Sequence, residues 1–202
     1  MLEEHRKPKT GGPMRLAITA RLDDILSRRI DRLCSQIEKS ERGFEPRPDY
    51  APHITLAVLE NGTDDEALIW QLSRTSLGIS RIPVGISHLG IFPGSPAYVF
   101  LAPVVTRPLL DLHRQIIETL SGPVIHEHYL VGNWVPHITL ATIDKKPEAA
   151  AKAALHGMTA HRGHIAAIEL VRFPPVQTLA SFPLPDARSP VCANATGRGS
   201  AM

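Results

Sequence analysis

The chain has 202 residues, 43% of them hydrophobic and 21% charged, with a formal net charge of +2. This length and apolar content suit one large domain or two small fused lobes, and the near balance of charge excludes a dedicated nucleic-acid coat. Cys34 and Cys192 show no CxxC spacing, which argues against a disulfide framework and for a reducing compartment. The N-terminal MLEEHRKPKTGGP lacks the apolar run of a signal peptide, and no stretch approaches membrane-spanning length. A cytoplasmic monomer without membrane contact is therefore expected.

Residues 1–13 are polar and residues 185–202 are small and aperiodic, so both ends are expected to be disordered tails around a domain at 14–184. Within it, residues 14–21 alternate as a strand. Residues 22–41 place Leu22, Ile25, Leu26, Ile30, Leu33 and Ile37 on one helical face, with Asp23 and Asp24 at the N-terminal end. After a loop with Pro46 and Pro48, residues 54–59 read as a strand. Thr63-Asp64-Asp65-Glu66 is a capping box that opens a helix through Leu68, Ile69 and Leu72. Residues 82–92 form another strand, ended by Pro93-Gly94-Ser95-Pro96.

The second half has matching pieces. Residues 98–105 form a strand rich in β-formers. Thr106 caps a helix with Pro108 in its first turn, with Leu109, Leu112, Ile116 and Leu120 inward and Gly122 closing it. A longer loop, 123–135, precedes the next strand. Asp144 then caps an Ala-rich helix at 147–155, ended by Gly157, and strands 165–173 and 176–182 turn at Pro174-Pro175.

The hexapeptide Pro-His-Ile-Thr-Leu-Ala stands at residues 52–57 and again at 136–141. With average residue usage, an identical pair arises by chance in roughly one such chain in a thousand. Each copy occupies the strand that follows the first helix of its half. The chain therefore reads as a duplicated α+β lobe, with halves at roughly 14–96 and 97–184. Two units are too few for a solenoid.

On a strand, residues i and i+2 share a face, so His53 and Thr55 project together while Ile54 and Leu56 face the other side. The same holds for His137 and Thr139 against Ile138 and Leu140. Pro52 and Pro136 stand at the strand starts, where a missing N–H costs least. A packed core needs only the apolar positions and gives no reason to keep both polar ones. If the two strands meet across a pseudo-two-fold, two imidazoles and two hydroxyls surround one groove. Such a set suits attack at phosphorus: one neutral histidine takes a proton, the other as imidazolium gives one, and the hydroxyls hold the non-bridging oxygens. No metal or other cofactor is called for.

Two His-x-Thr motifs, one per half of a duplicated α+β lobe, resemble the 2H phosphoesterase superfamily, in particular its 2′-5′ RNA ligase-like or cyclic phosphodiesterase group. The resemblance covers residues 14–184. It implies a bilobal fold with two pseudo-symmetric antiparallel-rich sheets, helices outside and the motifs in a central cleft, with strands that can exchange between lobes. It implies that His53 and His137 carry the acid–base roles and that Thr55 and Thr139 bind phosphate. The implied reaction is hydrolysis of a 2′,3′-cyclic phosphate, or cleavage or joining of a 2′-5′ linkage, on a nucleotide or RNA terminus. RNA-directed relatives often carry an arginine after the second motif; here Ala141-Thr142 stands there, which favours a nucleotide or small cyclic phosphate.

Trp134, Tyr50 and Tyr129 flank the motif strands and are candidates to stack a base, worth about 1–3 kcal/mol each. Arg47, Arg81 and Arg172 lie near strand ends, within reach of a phosphate backbone or simply solvated. His126-Glu127-His128 has the spacing of some metal pairs, and His156, His161 and His164 cluster downstream, but a zinc site needs a third convergent ligand. Two rival readings remain: a non-catalytic nucleotide- or RNA-binding module on the same fold, and a metallohydrolase built on His126 and His128.

Overall fold

The computed structural model describes residues 14–40, 44–45, 50–60, 64–143, 151–152, 154–156 and 158–186. The expected tails at 1–13 and from 187 onward, Arg47, Thr63 of the capping box, and the Asp144–Pro147 helix start with its Gly157 stop lie outside the described residues.

Strand β1 (Arg15–Leu22) leads into helix α1 (Asp24–Ser40). Asp23 caps the helix, its carboxylate accepting from the Leu26 N–H at 2.8 Å, so the helix starts two residues later than its apolar pattern does. Leu26, Ile30, Leu33 and Ile37 are buried as the 3.6-residue period requires, but Ile25 is 59% exposed, because the helical face turns away from it. A two-residue strand β2 (Phe44–Glu45) precedes β3 (His53–Leu59). Helix α2 (Asp65–Ser76) is capped by Asp64, which accepts from the N–H groups of Glu66 and Ala67.

Strands β4 (Ile82–Phe92) and β5 (Ala97–Pro103) form a hairpin, and α3 (Arg107–Thr119) follows. Thr106 stands at the N-cap of α3 without a side-chain cap bond. Pro108 occupies the second helical position and has no N–H, which removes one of the two donors a cap hydroxyl reaches. A 3₁₀ turn (Glu127–Tyr129) and β6 (Ile138–Ile143) come next, then helical residues at 151–152 and 154–156. The chain ends in β7 (His161–Phe173) and β8 (Gln177–Pro183). β7 starts four residues before its apolar run, because residues 161–165 pair with β4. Arg81 donates its N–H to the Pro185 carbonyl at 2.8 Å and pairs with Asp186 at 3.3 Å, tying down the end of the described chain.

The strands form one antiparallel sheet in the order β2-β6-β5-β4-β7-β1-β3, with β8 also on β7. Around the β4–β7 seam the order is symmetric: β5 and β1 come next, then β6 and β3, the two motif strands. Each side borrows its inner strand from the other half of the chain, since β4 pairs with β5 and β7 with β1. Laid flat, β3 and β6 would stand roughly 24 Å apart, five spacings of about 4.8 Å. Their Cα atoms instead approach within 8 Å, so the sheet curls until its motif strands meet. They are not hydrogen-bonded neighbours. The segment before β6 runs along β3, with Glu60 N–H on the Val124 carbonyl and His126 N–H on the Val58 carbonyl, both at 2.9 Å.

The apolar faces of the strands and of α1, α2 and α3 merge into a single core. Among the described residues no helix is long and apolar enough to cross a membrane.

Candidate active site

Both motif strands show the same alternation: His53 and Thr55 are half-buried and Ile54 and Leu56 fully buried, as are His137 and Thr139 against Ile138 and Leu140. The match extends to the rings. His53 Nδ1 lies 2.8 Å from the Ala51 carbonyl, and His137 Nδ1 lies 2.8 Å from the Val135 carbonyl, each two residues back in the chain. A carbonyl only accepts, so both Nδ1 atoms carry the proton and Nε2 is the basic nitrogen of each neutral ring. Two imidazoles are thus fixed in one tautomer by the backbone itself.

Their surroundings differ. The Tyr50 ring packs on His53 at 4.7 Å between centroids, and Arg21 of β1 stands directly abreast of His53 in the β1–β3 register. Thr19 faces Thr55 in that register and Glu169 in the β1–β7 register, and Glu169 in turn faces Ser181. A polar row, Thr55–Thr19–Glu169–Ser181, therefore crosses four strands. On the other side the equivalent row is Thr139–Phe100–Gly90. Phe92 and Phe100 stack at 4.2 Å and meet the His137 ring edge-on at 5.0 and 5.6 Å. Burial among these rings pushes the His137 pKa below the ordinary histidine value, opposed by the bond to the Val135 carbonyl.

Of the aromatic candidates, Tyr50 lies against His53 with its hydroxyl held by Thr19 at 2.6 Å and Glu169 at 2.7 Å. Trp134 stacks on the buried His113 at 4.0 Å and donates its indole N–H to the Thr55 carbonyl at 2.9 Å, so one face and its donor are already engaged. Tyr129 is half-buried in the 3₁₀ turn, and burial raises the pKa of its hydroxyl above the ordinary tyrosine value. His126 and His128 face each other at 4.8 Å, and no third ligand joins them among the described residues. His164 sits 3.7 Å from Asp23 and His156 bonds the Lys152 carbonyl, so the downstream histidines do not converge. Arg81 pairs with Asp186 and Arg172 with Asp65. Sequence reasoning missed Thr19, Arg21, Glu169, Phe92 and Phe100. Counting by twos along residues 15–22 would have placed Thr19 and Arg21 on one face, but not against the motif.

The α+β fold carries an equivalent His-x-Thr strand in each half, the arrangement that the resemblance to the 2H phosphoesterases implies. A model of the 2′-5′ RNA ligase superfamily matches residues 22–174, and the chain belongs to that family. Among solved structures, TT0787 of Thermus thermophilus superposes with a TM-score of 0.61 at 18% identity, covering 85% of this chain and 98% of its own. E. coli LigT complexed with phosphate gives 0.55 at 18% identity over 87% and 100% of the two chains. The PDE domain of MHV ns2 gives 0.53 at 18% identity over 79% and 98%. At these identities the likeness is one of fold. No curated protein matches the chain by sequence.

Proposed function

We propose that the protein hydrolyses a 2′,3′-cyclic phosphate on a nucleotide or RNA end, with His53 and His137 as the acid–base pair and Thr55 and Thr139 as phosphate donors. The observation that carries this reading is the matching backbone bond of the two imidazoles, each with Nδ1 held at 2.8 Å by the carbonyl two residues earlier. E. coli LigT, similar in fold, has been crystallised with phosphate, 3′-AMP and ATP, which supports a nucleotide ligand.

Roles divide by environment. His137, desolvated by Phe92 and Phe100, favours the neutral form and serves as base. Its Nε2 takes a proton from water as the water oxygen bonds to phosphorus. The P–O bond to one ribose oxygen breaks, and imidazolium His53 protonates that oxygen. The product is a phosphomonoester beside a free hydroxyl, and both histidines regain their starting states through solvent. Hydroxyls of Thr55 and Thr139 donate to the non-bridging oxygens, where negative charge grows.

Purified protein incubated with 2′,3′-cyclic nucleotides and with 2′-5′-linked dinucleotides, with and without EDTA, tests the reading. EDTA-resistant release of a nucleoside monophosphate is expected. Turnover lost on chelation and restored by zinc would transfer the chemistry to His126 and His128, and tight binding without turnover would leave a binding module.

A further inference from the structure

Glu169 is a carboxylate only 6% exposed, on a strand whose neighbours Ile168 and Leu170 are fully buried. A buried charge is costly unless it is paired and hydrogen-bonded, and a valine or leucine would fill such a position without that cost. Glu169 has three partners. The Tyr50 hydroxyl donates to one oxygen at 2.7 Å, the Ser181 hydroxyl donates to the other at 2.9 Å, and Arg21 Nε lies 3.2 Å from that second oxygen. Because a carboxylate only accepts, Tyr50 must donate to Glu169, and the Thr19 hydroxyl then donates to Tyr50 at 2.6 Å. Proton order along Thr19–Tyr50–Glu169 is thereby fixed.

Two of these partners flank His53. Tyr50 sets its ring against the imidazole at a tilt of 54°, and Arg21 stands abreast of it on the adjacent strand. The Ala51 carbonyl fixes one ring nitrogen but leaves the tilt of the ring to its packing, and the packing partner is a tyrosine held at its far end by Glu169. Among the described residues nothing equivalent stands behind His137, where Gly90 and Phe100 occupy the matching positions of the row. We infer that Glu169, lent by the second half of the chain, is a positioning residue for His53, acting through Tyr50 and Arg21. This rests on the acid–base reading above.

The test uses the full chain with Glu169→Gln and Tyr50→Phe, the second keeping the ring and removing only its hydroxyl. Both should lower kcat on a 2′,3′-cyclic nucleotide about 10-fold or more with KM within about twofold, since misplacing a reacting group costs rate. In the apo protein the ¹H–¹⁵N ring signals of His53 should shift in both variants while those of His137 stay in place. Wild-type kcat with unmoved His53 signals would overturn the inference, as would a change confined to KM. Should Glu169→Gln not fold, Tyr50→Phe decides alone. If the wild type turns over no cyclic phosphate, the substrate reading falls, and the His53 signals still decide whether Glu169 positions the ring.

Discussion

The indole N–H of Trp134 donates to the carbonyl of Thr55 at 2.9 Å, so the lead-in to one His-x-Thr motif is bonded to the strand of the other. The buried His113 stacks on the same indole with an interplanar angle of 4° and reaches the Tyr129 carbonyl through Nε2 at 2.9 Å. The two motifs are thus held together by the segment between them. Trp134→Phe keeps an aromatic ring and removes the donor. It should cost about 1–3 kcal/mol for the unsatisfied carbonyl, measured by urea denaturation, and it should lower kcat as the motif strands lose their tie. Full stability with full activity would show that the bond contributes to neither.

If His53 and His137 act on one phosphate, each His→Ala change should remove about 10²–10⁴-fold of kcat. The double variant should be little worse than either single, because groups acting as a unit are not additive. Thr55→Ala and Thr139→Ala should be milder, each removing one phosphate donor. Unchanged turnover in His137→Ala would reduce the second motif to a relic of duplication.

Burial holds His113, His137 and His161 below the ordinary histidine value of 6.5; carbonyl bonds oppose the shift at the first two, and Arg29 adds to it at the third. Such groups protonate more readily in the unfolded chain. As pH falls from about 6.5 toward the lower folded values, the unfolded state binds more protons and stability is lost; above 6.5 these three contribute no slope. The melting temperature should therefore decline on acidification below about pH 6.5. A rise across that window would contradict the assignment.

Gly90 lies under the Phe100 ring, and a Cβ there would collide with it. Phe100 is buried and stacked on Phe92, so it cannot swing aside freely. Gly90→Ala should cost about 1–3 kcal/mol and displace the ring from His137. Water would then reach the imidazole, its pKa would return toward the ordinary value, and the acid limb of kcat/KM would move to higher pH. An acid limb identical to that of the wild type would show that Phe100 does not set the environment of His137.

Duplication made the motif residues legible, because an exact hexapeptide repeat on two strands isolates His53, Thr55, His137 and Thr139 without any alignment. Strand alternation also placed Ile54, Leu56, Ile138 and Leu140 in the core correctly. Glu169 and Arg21 were not legible. Each is a charge set between apolar residues of its strand, and its meaning depends on register between segments more than a hundred residues apart. The start of β7 was hidden for a related reason: His161-Arg162-Gly163-His164 has no apolar run, and only pairing with β4 makes it a strand. Helix faces were clear except at their edges, where Ile25 belonged to the pattern and not to the core.

The inner strands of the sheet, β4 and β7, have a consequence for the origin of the molecule. Each pairs with the opening strand of the other half, so one repeat by itself would leave both an unfilled edge and a strand with no place to dock. Two separate copies could satisfy each other by trading that strand, which is a domain-swapped homodimer. The present chain has the architecture of such a dimer made covalent, with the join at the β4–β5 turn. Cutting that turn should give two fragments that fold only in each other's company. A fragment that unfolds cooperatively alone would separate the duplication from any swapped ancestor.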